Sequence, residues 1–381
     1  MFPVALTIDR VRTRAQLTRF IRLPRQLYQG MPGYTPPLDY ERRQMLDPRR
    51  SAFFTHGEAT YWIASRDGRP AGRISAQIDF AADGPDAGRT GLFGCLDAAD
   101  DSECVAALLR TAESWLHERG RRTVRGPFVL SINSESGLLV DGQLQPPVTL
   151  LPWHPPYLDR HVRAAGYDAA QLLYTFACKR EDFAFDRRLE QLAQIRSRAA
   201  ITVHDLHPGI PGEIEIARRI FNDGWQRNWG FTPATPTDVR ALAHQFKPFL
   251  FPDTAFFIAI GGEPVAFMIG IPNVFEITGD LGPAPSIVGW AKLLFRIYRQ
   301  RYRCFRIILL GMLSRYQSSA LGAAIATVMF DEVRQRLHAR HADECVLGWV
   351  VDSNHLPLKA VGDLGFRQTQ TYSVYERCLV E

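Results

Sequence analysis

The chain carries an internal repeat, and that repeat limits its fold more than any other feature of the sequence. Tyr61-Trp-Ile-Ala-Ser-Arg-Asp-Gly-Arg-Pro-Ala-Gly72 and Phe256-Phe-Ile-Ala-Ile-Gly-Gly-Glu-Pro-Val-Ala266 share one layout. Each reads as an apolar strand, a glycine-containing turn, a proline and a second strand, which is a β-hairpin signature. The second strands are expected over Gly72–Asp79 and Val265–Ile271. Each copy has a matching tail. Arg163-Ala-Ala-Gly-Tyr167 leads into an apolar strand Leu172–Cys178, and Asp363-Leu-Gly-Phe366 leads into Gln370–Arg377. The hairpins lie 195 residues apart (Ile63 to Ile258), and the helix-ending glycines lie 199 apart (Gly166 to Gly365). Two near-equal offsets imply duplication. A period this long gives two domains rather than a solenoid, and 381 residues suit two cores. The expected domains are 1–185 and 200–381, joined through the charged stretch Glu181–Ala200.

Each half also holds a central strand that feeds a helix. Gly91–Leu96 precedes a helix whose apolar positions Val105, Leu108, Leu109, Ala112, Trp115 and Leu116 fall on one face. Arg306–Leu313 precedes a helix with Leu321, Ile325, Val328, Val333 and Leu337. The order in each half is hairpin, strand, helix, strand, helix, strand. The fold class is therefore α/β (α+β): in each domain a mixed, mostly antiparallel sheet flanked by helices.

Composition narrows the class further. Hydrophobic residues make up 46% and charged residues 22%, as in ordinary globular domains. The net charge of +5 is too mild to mark a dedicated polyanion binder. Cys95, Cys104, Cys178, Cys304, Cys345 and Cys378 include no C-x-x-C pair. Reduced thiols in a cytoplasmic protein fit this spacing better than a disulfide framework or a zinc site. The start, MFPVALTIDRVRTRAQ, lacks the apolar core of a signal peptide. No run of about 20 apolar residues is present, so no spanning helix is expected. His338 and His341 have no carboxylate at metal-ligand spacing, and no metal is expected. No P-loop or G-x-G-x-x-G occurs. Aromatics are not interleaved with basic residues as on single-strand nucleic-acid platforms, so no nucleic-acid partner is expected.

The candidate chemistry lies after the central strand of the second half. Ile307-Ile-Leu-Leu-Gly-Met-Leu313 enters a loop of small residues, Ser314-Arg-Tyr-Gln-Ser-Ser-Ala-Leu-Gly-Ala323, and a helix starts at once. Small residues let backbone N–H groups converge, and a helix N-terminus adds positive potential. That suits a diphosphate, with Arg315 as a charge-assisted contact.

In this stretch the chain resembles the GCN5-related N-acetyltransferase (GNAT) superfamily. Its acyl-CoA loop reads Gln/Arg-x-x-Gly-x-Gly/Ala between the fourth strand and the third helix. Gln317-Ser-Ser-Ala-Leu-Gly322 matches in position and spacing, with Ala320 where glycine is usual. The resemblance implies two tandem GNAT-like domains and an acyl-CoA site formed by Leu313, Arg315, Gln317, Ser318, Ser319, Ala320, Leu321, Gly322 and Ala323. Downstream, Cys345–Val351 looks like the superfamily's fifth strand, which splays from the fourth and leaves a gap for the pantetheine arm. Asn354 and Lys359 would then contact that arm. Acyl-CoA is implied as co-substrate, with no tightly bound cofactor.

The first half differs at the equivalent place. It reads Asp97-Ala-Ala-Asp-Asp-Ser-Glu103, whose Asp100, Asp101 and Glu103 cap a helix well and repel a diphosphate. The N-terminal domain is expected to have lost CoA binding and to supply the acceptor side or structural support. Asn133-Ser-Glu-Ser-Gly-Leu-Leu-Val-Asp-Gly142 and Leu151-Pro-Trp-His-Pro-Pro-Tyr157 bring titratable groups beside rigid prolines and aromatics. Asn133, Glu135 and His154 are candidates for an acceptor pocket, and turn chemistry with helix capping is the plain alternative. His56-Gly-Glu58 is weighed the same way. Tyr372 and Tyr375, three apart on the last strand, face opposite sides of the sheet. GNAT enzymes often use a tyrosine to protonate the leaving thiolate, and Tyr372 is the candidate for that role.

Residues 286–306 form a separate feature. Ile287, Trp290, Leu294 and Ile297 recur at spacings of three and four, and Lys292, Arg296, Arg299 and Arg303 recur likewise, offset by two. That offset is about 200° on a helix, so the two stripes oppose. Such a helix lies on an anionic membrane surface or packs on a core with its basic face in water.

The resemblance reaches most of the chain. Phe53-Phe-Thr-His-Gly-Glu-Ala59, Asn133–Gly142, His154-Pro-Pro-Tyr157, Leu364-Gly-Phe366 and Tyr372–Glu376 are similar to a bacterial family that includes the ceramide synthases. The resemblance implies an N-acyltransferase that joins a long acyl group from CoA to a sphingoid base or other long-chain amine. It also implies a cytoplasmic protein attached peripherally to the inner membrane. Two rivals stay open: a Fem-type transferase using aminoacyl-tRNA, and a non-catalytic acyl-CoA or lipid binder.

Overall fold

The computed structural model describes residues 5–82, 86–183, 200–207 and 209–379. The first repeat runs β1 (Leu6–Arg10), α1 (Arg14–Leu27), α2 (Asp39–Leu46), β2 (Gly57–Arg66), β3 (Arg69–Asp79), β4 (Thr90–Ala98), α3 (Ser102–His117), β5 (Thr123–Gly126), β6 (Leu138–Asp141), α4 (Tyr157–Ala164) and β7 (Asp168–Lys179). The second runs β8 (Ile201–Asp205), α5 (Pro211–Trp225), α6 (Pro236–Phe246), β9 (Ala255–Ile260), β10 (Glu263–Pro272), α7 (Ile287–Arg299), β11 (Cys304–Met312), α8 (Ala320–Ala339), β12 (Glu344–Val351), α9 (His355–Asp363) and β13 (Arg367–Cys378). The two orders match, apart from β6 in the first and, in the second, α7 and the one-turn helix Phe275–Thr278 before it. This is the expected mixed, largely antiparallel α/β architecture. The strand–helix–helix opening of each repeat is new.

Both hairpins form where the sequence places them. Ile63 sits opposite Arg73 in one, and Phe257 opposite Phe267 in the other. The turns are Asp67-Gly68 and Gly261-Gly262, with φ of 50° and 73° in the first and 57° and 85° in the second. Two consecutive positive φ values fit a type I′ turn, whose twist matches the flanking strands.

By contacts the chain divides into two compact units. Unit 1 is Met1–Leu173 with Thr278–Ser286 and Gln370–Glu381, and unit 2 is Tyr174–Ile277 with Ile287–Thr369. Most of β13 thus belongs with the first unit, where Tyr375–Cys378 pair antiparallel with Thr123–Gly126 of β5. Most of the stretch Glu181–Ala200 lies outside the described residues.

In unit 1 the sheet runs β1-β2-β3-β4-β5-β13. Successive side chains of β2 serve opposite faces. Tyr61 and Ile63 pack with Phe20 and Ile21 of α1, whereas Trp62 and Ala64 pack with the α3 face. All six apolar α3 positions picked out by helical spacing are buried. In unit 2 the order is β12-β11-β10-β9-β8, with the end of β7 beside β12. There α5 presses Ala217, Ile220 and Phe221 onto Phe257 and Phe267.

Candidate functional site

In unit 2 a gap opens between two parallel strands. β11 and β12 pair only over Cys304–Ile307 and Glu344–Leu347, although both strands run on. β11 stays on β10 up to Met312, with a bulge opposite Ile269/Gly270 that leaves Ile308 without a partner residue. The Leu313 N–H donates to Val265 O (2.9 Å). Antiparallel alternation then turns the N–H and C=O groups of Met312 and Leu310 away from β10. The outward Leu310 carbonyl accepts from Trp225 Nε1 (2.8 Å), and the Met312 carbonyl accepts from Gln317 Nε2 (3.0 Å).

The loop that follows is shaped for an anion. Ser319 caps α8, its hydroxyl accepting from the Gly322 N–H (2.9 Å) and donating to Tyr316 O (2.6 Å). Ser318 has a φ of 60°. The remaining first-turn N–H groups of α8 have no carbonyl a turn earlier in the helix. Ser318, Ala320 and Ala323 are exposed, and Leu313 and Leu321 are half-buried. Gln317 also donates to Gly224 O (2.8 Å).

Two contacts of this loop bear on the expected diphosphate site. Arg315 is paired with Glu263 (2.7 Å) and mostly exposed, so its charge is already engaged. Gly322 cannot take a side chain without moving the loop, because a Cβ there would lie 2.1 Å from Tyr316 O. Asn354 is half-buried before α9, and its N–H reaches Val351 O (3.0 Å). Lys359 is exposed on α9.

The equivalent place in unit 1 is filled by its own side chains. The Ala98 N–H donates to the Tyr28 hydroxyl (3.2 Å), and the Ala98 carbonyl accepts from the Tyr157 hydroxyl (2.8 Å). Asp101 caps α3 by accepting from the Cys104 N–H (3.0 Å). Arg66 holds Asp101 (2.7 Å) and Glu103 (2.9 Å), while Arg160 and His161 hold Asp100. The acidic helix start is thus neutralised within the unit.

The four catalytic candidates, Glu135, His154, Asn133 and Tyr372, all belong to unit 1, and the loop belongs to unit 2. Glu135 is buried and accepts from both terminal nitrogens of Arg42. His154 is buried; its Nδ1 accepts from the Leu139 N–H (3.1 Å), and burial pushes its pKa down to about 4. It is therefore a neutral imidazole with Nε2 protonated. Asp97, Glu135 and Arg73 are the charges that act on it. Arg73 and Asp97 form a second buried pair (2.7 Å). Tyr372 has no exposed surface and pairs with Leu139, whereas Asn133 is exposed. Tyr375, on the opposite face, is buried as well and donates to Asp159. His56 meets the buried Asp79 through Nδ1 (2.9 Å).

Asp223 and Trp225, at the end of α5, lie outside every motif of the sequence named above. Asp223 Oδ2 accepts from the Ser314 N–H (2.6 Å), at the root of the loop. The run Asn222-Asp-Gly-Trp-Gln-Arg-Asn-Trp-Gly230 combines glycines, polar groups and aromatics as the singled-out segments do, and the same criterion finds it.

Helix α7 is unlike the others. Six of the ten exposed large apolar side chains among the described residues lie on it, including Ile287 at 90% and Tyr298 at 82% exposure. Gly289 and Leu293 are its buried positions. The Ile287-Trp290-Leu294 stripe therefore faces outward, which removes the reading of a core-packed stripe. Lys292 and Arg299 of α7, and Arg301 and Arg303 just after it, are exposed as well. No helix among the described residues is long and apolar enough to cross a membrane, and those residues hold no cluster of metal-ligating side chains.

No family model matches the chain. A bacterial ceramide synthase of Caulobacter vibrioides is 35% identical over 380 residues, 98% of both chains. Protein YghO of Escherichia coli strain K12 is 35% identical over 363 residues, 95% of this chain and 92% of its own. Among solved structures, a tandem GNAT protein from the clavulanic acid biosynthesis pathway shares the fold over 98% of each chain, with 12% identity and a TM-score of 0.54. Identity this high along the whole length, on a tandem GNAT fold, means that the chain belongs to the family of the bacterial ceramide synthase and is an N-acyltransferase.

Proposed function

We propose that the protein transfers a long-chain acyl group from acyl-CoA to the amine of a sphingoid base. The observation that carries the donor half is the loop Gln317–Gly322. It places a capped helix N-terminus directly beyond the open end of β11 and β12. The CoA diphosphate takes the first turn of α8, and the acyl-pantetheine arm lies along the outward edge of β11. The Met312 or Leu310 N–H stabilises the oxyanion that forms when the amine attacks the thioester carbonyl. The C–S bond then breaks, the CoA thiolate leaves, and the proton lost by the amine passes to the thiolate or to water. Unit 1 binds no CoA in this reading, because tyrosine hydroxyls and paired acids take the corresponding positions.

The acceptor half rests on the named relative and on α7. A sphingoid base resides in a bilayer. The exposed apolar stripe of α7, on a helix that also exposes Lys292 and Arg299, suits the anionic surface of one.

A free-thiol assay tests the reaction. Palmitoyl-CoA with sphinganine is expected to release CoA thiol. Acetyl-CoA, or palmitoyl-CoA alone, is expected to release little. No release with any donor, despite measurable CoA binding, excludes the enzyme reading in favour of a lipid binder. Sedimentation with phosphatidylglycerol vesicles tests the attachment. Trp290→Ser with Leu294→Ser is expected to cut vesicle binding at least about tenfold, since each buried apolar side chain contributes roughly 1.5–3 kcal/mol. Equal sedimentation of this variant and the wild type removes α7 as the contact.

A further inference from the structure

Asp223 is a half-buried carboxylate with an unusual set of neighbours. One oxygen is fixed by the Ser314 N–H at 2.6 Å. Among the described residues no cation pairs with it, whereas Glu263, across the same loop, is matched by Arg315. A partly desolvated carboxylate without a counterion is costly, and a cationic ligand removes that cost.

An apolar aromatic cluster is built from the same end of α5. Trp225, two residues on, stacks on Phe221 with ring centroids 5.5 Å apart and planes 26° apart. Phe231 leans on Phe221 at 6.2 Å. Trp225, Phe231, Leu309 and Leu313 are half-buried at the rim of this cluster, so their surfaces are partly open. Trp225 is also the side chain that bonds Leu310 O at the open end of β11 (2.8 Å). Asp223 and Trp225, two residues apart at the end of α5, thus bond the two sides of the end of β11, at Ser314 and at Leu310.

The geometry points to Asp223 as the ammonium-binding residue of a site for a long-chain primary amine, with Trp225 and Phe231 beside the alkyl chain. That this amine is the acyl acceptor rests on the acyltransferase reading above. The amine site itself does not.

Octylamine and octan-1-ol, titrated into the full-length protein without acyl-CoA, separate the charge from the chain. Asp223→Asn keeps an oxygen to accept from the Ser314 N–H and removes the negative charge. The wild type is expected to prefer the amine, and Asp223→Asn to bind it about tenfold more weakly, as expected on losing a charge-assisted contact. Alcohol binding should be the same in both proteins. Equal amine affinity in the two proteins overturns the assignment, and so does a wild type that does not distinguish amine from alcohol. The thiol assay is read separately. Selective loss of amine binding in a protein that releases no thiol keeps the site and overturns the acyltransferase function. Thiol release with an unchanged KM for sphinganine in Asp223→Asn keeps the function and overturns the identification of this amine with the acyl acceptor.

Discussion

Ala320→Glu is expected to weaken acyl-CoA binding about a hundredfold without lowering the melting temperature. Ala320 is exposed at the first position of α8. A carboxylate there interacts favourably with the helix dipole, so the helix itself gains a few tenths of a kcal/mol. A diphosphate in the same first turn meets a like charge. At about 5 Å and an effective dielectric of about 20, that repulsion is about 3 kcal/mol, enough for about a hundredfold. Calorimetric titration of CoA checks it, and unchanged affinity would show that the diphosphate lies elsewhere. Gly322→Glu is the poorer choice. Its Cβ alone would collide with Tyr316 O, so lost binding would mix repulsion with a displaced loop.

Glu135→Ala is expected to destabilise unit 1 by about 3–5 kcal/mol, the usual cost of stranding one member of a buried ion pair. Glu135 is 4% exposed and takes both terminal nitrogens of Arg42. Without it Arg42 keeps Glu41, at 3.7 Å, as its nearest anion. Scanning calorimetry should show a transition lowered by roughly 10 °C. If unfolding were unchanged while the reaction stopped, Glu135 would be a catalytic carboxylate rather than half of a structural pair.

The legible parts of this protein share a physical origin. The hairpins show in the sequence because apolar runs flank Asp67-Gly68 and Gly261-Gly262, and only a few residue types accept that turn. Helix α3 shows because its apolar positions recur at 3.6-residue spacing and all reach one core. The openings of the two repeats do not show. α1 carries Pro24, α2 is half charged, and β1 and β8 are five-residue strands.

The site divides the same way. The loop Gln317–Gly322 is readable because its chemistry is local: a strand end, small residues, a cap and a helix start lie within a few positions. The acidic first-half counterpart is readable for the same reason. Asp223 is not, since it meets Ser314 across 91 residues. Nor is the pairing of Glu135 with Arg42, which are 93 apart.

By itself the sequence determines the duplication, the fold class of each repeat and the place of the loop. Those follow from periodicity and turn chemistry, which act over a few residues. Tertiary structure alone decides which charges are already satisfied, that Asp223 has no cation partner among the described residues, that a side chain at Gly322 would strike Tyr316 O, and that the apolar stripe of α7 faces outward. Each depends on what long-range packing brings beside a residue, and local pattern carries no record of that.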